Sequence, residues 1–509
     1  MGNVGAGRQR VALTGAGLGA GALLALSLPP WGWWPLALVG AAVLASALRD
    51  QPWRRRLVAG FAAGVGLYGI GLWWMIEVSA PGYVATTLLQ GVIVAAAMAA
   101  VPPGPGRLLA FPAAVVLADA LHGHWPFGGV PLGGIALGQV AGPLAGAARL
   151  GGHLLLVALV AGGGAALAGM ADWGRARARV NGAALPPAPP VGAAVGLAVV
   201  VLVVVAGAVA PRGSTTGTLR VAAVQGGGAR GFRAVDVDPQ VVFDAHLAAS
   251  ARVRPPVDVV LWPEDVVDVA GPLAGTPEEA TLARLARTLG ATLVAGVVED
   301  TEPGRFRNAA LAWGPDGTVV ARYDKVHRVP FGGYVPGRAL VDRVADLSAV
   351  PRDAIPGRGP GVLRTAAGRL GVLISYEVFF ADRARAAVGA GAEVLLVPTN
   401  ASSFRTSQVP GQELAAARLR ALETGRAVVQ AAPTGYTAVV DAGGRVRARS
   451  GMGGADVLTG TVDRRQGRTV ASRAGEWPLV ALAAVLLALI GTKLSLPIAG
   501  SLPYRAEQG

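Results

Sequence analysis

Up to residue 211 the chain carries only four acidic residues, Asp50, Glu77, Asp119 and Asp172. The apolar stretches between them are long enough to cross a bilayer, which takes about 20 residues. Few features restrict a fold more, because a segment in hydrocarbon must satisfy its own backbone and so becomes a helix. Seven spans are expected, near 11–28, 35–49, 57–76, 83–101, 107–122, 150–171 and 191–211, with Pro29 and Pro30 dividing the first two and Trp31, Trp33 and Trp34 at the turn. Arg8 and Arg10 would suit a signal-peptide n-region, but the apolar stretch behind them is too long and a second span follows directly, so the first segment reads as an uncleaved helix. A hydrophobic content of 52%, a mean hydropathy of +0.49 and only 15% charged residues belong to a membrane protein.

Arginine placement predicts the orientation, since basic loops stay cytoplasmic. Arg49 and the run Arg54, Arg55 and Arg56 lie between spans two and three, Arg107 between four and five, and Arg175, Arg177 and Arg179 between six and seven. The intervening loops, "SLPPWGWWP" and "HGHWPFGGVPLGG", are rich in Trp, Pro and Gly, as at a membrane interface. The N-terminus is then inside and whatever follows span seven outside. This divides the chain into a membrane domain of about seven helices (1–211), an extracytoplasmic domain (212–476), and a last helix with a short cytoplasmic tail (477–509), in which Lys493 can snorkel. The net charge of +14 is spread among apolar segments with no basic, aromatic-interleaved stripe, which argues for membrane orientation and against a nucleic-acid partner. The chain has no cysteine, which excludes disulfides, thiolate metal sites and a thiol nucleophile. Its five histidines have no ligand-like spacing, so neither metal nor cofactor is expected.

Region 212–476 carries most of the acidic residues and alternates two patterns. "LRVAAVQ" (219–225), "VDVVLWPE" (257–264), "ATLVAGVVE" (291–299), "RLGVLISYE" (369–377) and "EVLLVPTN" (393–400) read as strands buried on both faces. Stretches 238–254, 276–290 and 411–426 carry apolar residues at helical spacing, the second capped by Thr276 with Glu279 three residues on. Strands followed by helices predict a layered α/β sheet.

Three strand ends or adjoining loops present reactive groups: Glu264 after "VVLWP", Lys325 in "YDKVHRVPFGGYVP", and Ser375 after "GVLI". α/β sheets place their sites outside the carboxyl ends of strands. A carboxylate, an ammonium and a hydroxyl that converge there supply a base, a partner for an oxyanion and a nucleophile, the components of acyl transfer. Each residue type alone also has an ordinary use: a capping acid, a surface charge, a hydroxyl bonded to backbone.

Layout and motifs together are more specific. Seven spans, one α/β domain and one closing span, with "YDKVHRVPFGGYVP", "LISYE", "RALETGRAVVQAAPTGYTAVVDAGGRV" and "WPFGGVPLGGIALGQV", resemble the apolipoprotein N-acyltransferases, membrane-embedded members of the nitrilase superfamily. The resemblance implies a nitrilase-like α-β-β-α sandwich outside a bacterial cytoplasmic membrane. It also implies a Glu–Lys–Cys triad that falls on Glu264, Lys325 and Ser375, with Glu377 and Asn400 in support. In the implied reaction a phospholipid donates an acyl chain to the nucleophile, and the diacylglyceryl-cysteine amine of a lipoprotein takes it. Trp31, Trp33, Trp34, Trp125, Phe127, Phe331 and Tyr334 would anchor the interface or line the acyl-chain entrance.

The chain departs from the family pattern near the chemistry. Serine stands for cysteine at Ser375, Gly333 replaces the glutamate of "PFGE", and Ala401 and Ser403 replace an acid and a tryptophan in "NASSF". Under the transferase reading, Ser375 carries the acyl group, Glu264 takes its proton and Lys325 stabilises the oxyanion. Two alternatives stand beside it: a silent homologue acting as a membrane scaffold, paired with a lipid-linked sugar synthase, and a membrane-bound amidase.

Overall fold

The computed structural model describes residues 2–104, 106–179, 188–228, 237–343, 347–348, 350–404 and 406–493. A helix lies over each of the seven expected stretches: α1 (Gly2–Leu26), α2 (Pro35–Ala47), α3 (Trp53–Gly71), α5 (Ala80–Ala100) after the short α4 (Met75–Val78), α6 (Arg107–His124), α7 (Ala148–Ala178) and α8 (Val191–Val209). Among the described residues four stretches are long and apolar enough to cross a membrane: Gly7–Leu26, Ala80–Ala100, Pro143–Ala178 and Val191–Val209. α2 is apolar but shorter, α3 begins with three arginines, and α6 carries Arg107 and Asp119. Small residues set the packing. A Cβ on Gly21 would lie 2.1 Å from the Ala63 carbonyl oxygen, so α1 and α3 approach this closely only because glycine stands there.

The chain then enters two sheets. The first has the order β14-β1-β2-β4-β5-β6 and contains β1 (Ser214–Gln225), β2 (Val259–Leu261), β4 (Thr292–Glu302), β5 (Arg305–Trp313), β6 (Val319–Asp324) and β14 (Asp456–Gln466). On it, β3 (Val267–Val269) pairs with β4 and β7 (Asp353–Ala354) with β5. The second runs β13-β12-β11-β10-β9-β8, from β8 (Val362–Thr365), β9 (Gly368–Val372), β10 (Val394–Pro398), β11 (Val428–Ala431), β12 (Ala438–Val440) and β13 (Val446–Arg449). The central strands β1, β2 and β4, and likewise β9, β10 and β11, are parallel. They are crossed by helices α9 (Pro239–Ser250), α10 (Pro277–Leu289), α12 (Ala381–Gly389) and α13 (Gln408–Thr424), with α11 (Arg338–Val341) in a loop.

The period of two along β1 divides its side chains between two cores. Val221 and Ala223 pack between the sheets with Leu261, Leu370, Leu396 and Val429, while Ala222 and Val224 pack outward with Trp262, Leu282 and Ala286. This is an α-β-β-α sandwich. Thr276 caps α10 by accepting from the Glu279 amide, and Gly290 ends it in the left-handed region. α12 and α13 cover the second sheet and share one apolar core with the N-terminal helices. Amide side chains join the two parts: Gln412 donates to the Gly71 carbonyl and accepts from the Gly133 amide, both at 2.9 Å, and Gln408 donates to the Ile70 carbonyl at 2.7 Å. After α14 (Val470–Ala474) the chain leaves through α15 (Trp477–Lys493). The end of the expected last span and the tail, 494–509, lie outside the described residues.

Candidate active site

Each of the three expected residues follows a strand. Glu264 lies three residues beyond parallel β2, Lys325 directly follows β6, and Ser375 stands three residues past β9. Gly296 on β4 admits the first of these, since a Cβ there would lie 2.5 Å from the Glu264 Cα. The apolar run in the sequence suggests that the strand continues to residue 377. It stops at Val372, and Ser375 opens a 3-10 turn, Ser375–Phe379, with φ of +48°. A non-glycine residue in the left-handed region costs on the order of 1–3 kcal/mol and persists only where its surroundings hold it.

Glu377 does the holding. One carboxylate oxygen accepts from the Ile374 amide at 2.9 Å, closing the turn around Ser375. The other accepts from the Val326 and His327 amides at 2.8 and 3.1 Å and from the Tyr323 hydroxyl at 2.8 Å. The fully buried Glu377 thereby ties the Ser375 turn to the segment that carries Lys325. Hydrogen bonds to a charged group are the stronger kind.

Lys325 Nζ lies 2.5 Å from Glu264 Oε1, which also accepts from Asn308 Nδ2 at 2.9 Å. Both side chains of the pair are buried. Burial works to lower the Lys325 pKa, but the charge of Glu264 and its hydrogen bond outweigh it and hold the ammonium above its usual range. The neighbouring Asp265, also at positive φ, is pushed well above the carboxylate range by burial and by the Glu264 charge. The site therefore holds a fixed ammonium and a turn that presents a hydroxyl.

A fourth group was missed from sequence. Glu413 lies on α13, which packs against the Ser375 turn; it is buried, accepts from the Thr399 hydroxyl, and burial raises its pKa to about 7. Asn400, in contrast, serves its own loop: its side-chain oxygen accepts from the Ser402 amide at 3.1 Å and the Ser402 hydroxyl at 2.5 Å. The expected aromatics divide. Phe127 and Phe331, both half exposed, meet edge to face at 5.9 Å, joining a membrane-side loop to the Lys325 loop, while Tyr334 lies under the Arg328 guanidinium. Trp31, Trp33 and Trp125 stay exposed at the surface of the helical part. Tyr376 donates to the Gly129 carbonyl at 2.9 Å, so the turn itself touches that loop. Beyond it, a cavity of about 270 Å³ is lined by His122, His124, His153, His327 and Trp477 among others. Among the described residues, no three His, Asp or Glu are arranged to hold a metal ion.

A buried Glu–Lys pair and a strained serine turn tied to its lysine segment, on an α-β-β-α sandwich fused to apolar helices, define a membrane protein with a nitrilase-type domain. The comparisons agree. The family described as "Carbon-nitrogen hydrolase" matches residues 220–472, and "Apolipoprotein N-acyltransferase N-terminal domain" matches residues 20–166. The apolipoprotein N-acyltransferase of Azotobacter vinelandii is 32% identical over 499 residues, covering 92% of this chain and 93% of that protein. That of Pseudomonas aeruginosa is 31% identical over 510 residues, covering 94% and 95%. An amidase from Nesterenkonia sp., of known structure, is 25% identical over 54% of this chain and 98% of its own, with a TM-score of 0.38. The chain belongs to the apolipoprotein N-acyltransferase family, a family of acyltransferases.

Proposed function

We propose that the protein transfers a fatty acyl chain from a phospholipid to the N-terminal diacylglyceryl-cysteine amine of lipoproteins, through an oxoester on Ser375. It would act in a bacterial cytoplasmic membrane with residues 212–476 outside, where both lipid substrates are within reach. The observation that supports this reading is Glu377, which accepts from backbone amides of both the Lys325 segment and the Ser375 turn and so ties the two segments together. Lys325, kept charged by Glu264, faces the oxyanion of the tetrahedral intermediate. Phe127 and Phe331 offer an apolar approach for an acyl chain between the helical part and the sandwich.

Intact-protein mass spectrometry after incubation with a phospholipid bearing a labelled acyl chain tests the proposal. An acyl adduct is expected on the wild type, absent in Ser375→Ala and turned over faster in Ser375→Cys, because a thioester is the better acyl donor to an amine. A Ser375→Ala protein that acylates lipoproteins at the wild-type rate would rule out the serine. An adduct that water cleaves as fast with as without an amine acceptor would make the protein an amidase. No adduct on the wild type would favour the silent scaffold, with a lipid-linked sugar synthase as its expected partner.

A further inference from the structure

Glu377, which ties the Ser375 turn to the Lys325 segment, is fully buried and so needs a counter-charge. Lys325 is already matched by Glu264 at 2.5 Å, and the His327 ring faces Asp382 at 3.6 Å. The cation left for Glu377 is Arg383, in the first turn of α12 and only 8% exposed. Among the described residues, Glu377 is the one carboxylate within 4 Å of the Arg383 guanidinium. Nε lies 3.8 Å from Glu377 Oε1 and makes no hydrogen bond, so the attraction there is charge for charge. Nη2 donates to the Tyr323 hydroxyl and to the Gly359 carbonyl, both at 2.8 Å. Tyr323 in turn donates to Glu377 Oε1 at 2.8 Å.

We propose that Arg383 is a positioning residue for Ser375: it holds Glu377 in the charged form, and through it the left-handed turn that presents the hydroxyl. An arginine can only donate hydrogen bonds. The Tyr323 hydroxyl, accepting from Arg383, must therefore point its own proton at Glu377. Every hydrogen-bond partner of the carboxylate is then a donor: that hydroxyl and the amides of Val326, His327 and Ile374. A proton on either oxygen would meet one of these donors, and a hydrogen bond would be lost. Without Arg383 both constraints go. The buried charge loses its cation, and the Tyr323 hydroxyl is free to turn and accept from a neutral carboxyl. The backbone at Ser375, with φ of +48° beside the Ile374 amide bond to Glu377 Oε2, then loses what holds it.

Removing an opposite charge at this distance moves the proton equilibrium of a carboxylate by about 10- to 1,000-fold. The sign is fixed: a carboxylate stripped of its cation binds protons more tightly, so the damage from Arg383→Met is greatest at low pH and recedes as the pH rises. Arg383→Lys keeps the charge but not the planar fork, so its loss is smaller and does not vary with pH. Tyr323, Lys325 and His327 on the β6 side, Asp382 on α12 and Glu413 on α13 are common to all these variants, so their own titrations cancel in a ratio to wild type. The effect on acyl transfer rests on the reading of Ser375 as the acyl carrier, whereas the hydrogen bonds to Glu377 stand without it.

Two measurements on the full-length protein test this between about pH 6 and 8.5, for wild type, Arg383→Met, Arg383→Gln, Arg383→Lys and Ser375→Ala. One is the rate at which a labelled acyl chain passes to the protein from phospholipid vesicles. The other is hydrogen exchange, followed by mass spectrometry, at the Val326, His327 and Ile374 amides, which needs no catalysis. Relative to wild type at each pH, Arg383→Met should lose about 30-fold or more in labelling near pH 6.5 and regain about 10-fold or more by pH 8.5. Exchange at the three amides should be faster than in wild type at the low end and approach it at the high end. Arg383→Gln, which keeps a donor without the charge, should show the same pH dependence, and Arg383→Lys should restore most of the rate with a flat ratio. Ratios for Arg383→Met and Arg383→Gln that do not change with pH would mark Arg383 as merely structural and overturn the proposal, as would labelling by Arg383→Met within about 3-fold of wild type near pH 6.5. No label on wild type, or wild-type labelling of Ser375→Ala, would overturn the acyl-carrier reading alone. Exchange then decides on Arg383: unchanged protection in Arg383→Met overturns its role, and a loss that grows as the pH falls upholds it.

Discussion

Replacing Lys325 by methionine tests the electrostatics of the site separately from its chemistry. The change keeps an unbranched stem of similar volume but leaves Glu264, now 2.5 Å from the ammonium and buried, with only the Asn308 amide as a partner. A buried carboxylate without a cation can always take up a proton, and this bounds the cost. Neutralising a carboxyl of ordinary pKa near 4.3 at pH 7 costs about 3.7 kcal/mol, within the range of about 3–5 kcal/mol known for breaking buried ion pairs. The same step costs about 1 kcal/mol at pH 5, so the penalty of Lys325→Met should shrink as the pH falls. Adding Glu264→Gln removes the charge that needs compensation, and most of the penalty should disappear at pH 7. Denaturant unfolding followed by tryptophan fluorescence reads this out, because Trp262 and Trp313 are both fully buried in the sandwich. A penalty that is the same at pH 5 and pH 7, or a double variant no more stable than Lys325→Met, would refute the reasoning.

Glu377→Gln puts an amide where four donors converge, so at least one donor is left facing an NH₂ group. It should cost about 1–3 kcal/mol in the same unfolding assay and abolish the Ser375 adduct, although Glu377 is assigned no part in bond making. Wild-type labelling by Glu377→Gln would show that the turn does not depend on it. The proposed orientation predicts an active alkaline phosphatase fusion near residue 215 and an inactive one near residue 176, and the reverse pattern would overturn it.

What could be read from sequence follows from which physical demands leave a local trace. A bilayer requires long uninterrupted apolar runs, and α5 and α8 show them directly. Strands covered on both faces read as continuous Val, Leu and Ala, which is why β4 and β10 could be placed within a few residues. The end of β9 was not legible, because "LISYE" continues an apolar run while the hydrogen bonds of Glu377 bend the backbone at Ser375. Glu264 and Lys325 took their proposed roles from resemblance, since an acid or a lysine after a strand is common. Asn400 was expected in support of them, and its side-chain oxygen accepts from Ser402 in its own loop. Glu413 left no signal. Its helix is buried almost all round, between the second sheet and the N-terminal helices, and spacing along the chain does not show a face that distant segments cover.

That two-sided burial explains how a buried carboxylate can be held in place. The last turns of a helix leave backbone carbonyls without partners inside the helix, and an apolar setting makes such orphans expensive. At the end of α3 the Gly71 carbonyl accepts from the Gln412 side chain, and the Ile70 carbonyl, which also accepts from the Trp73 amide, takes the Gln408 side chain from α13. The next residue along, Glu413, projects about 100° around the same helix from Gln412, toward Thr399. The hydrogen bonds that complete a helix of the N-terminal region therefore also fix the axis and rotation of the helix that carries the carboxylate. A site built on a rigid element whose orientation is set by directional bonds keeps its geometry within fractions of an ångström. On this arrangement the apolar helices do more than bring the sandwich to lipid: they form part of the support that holds the Glu413 carboxylate against Thr399.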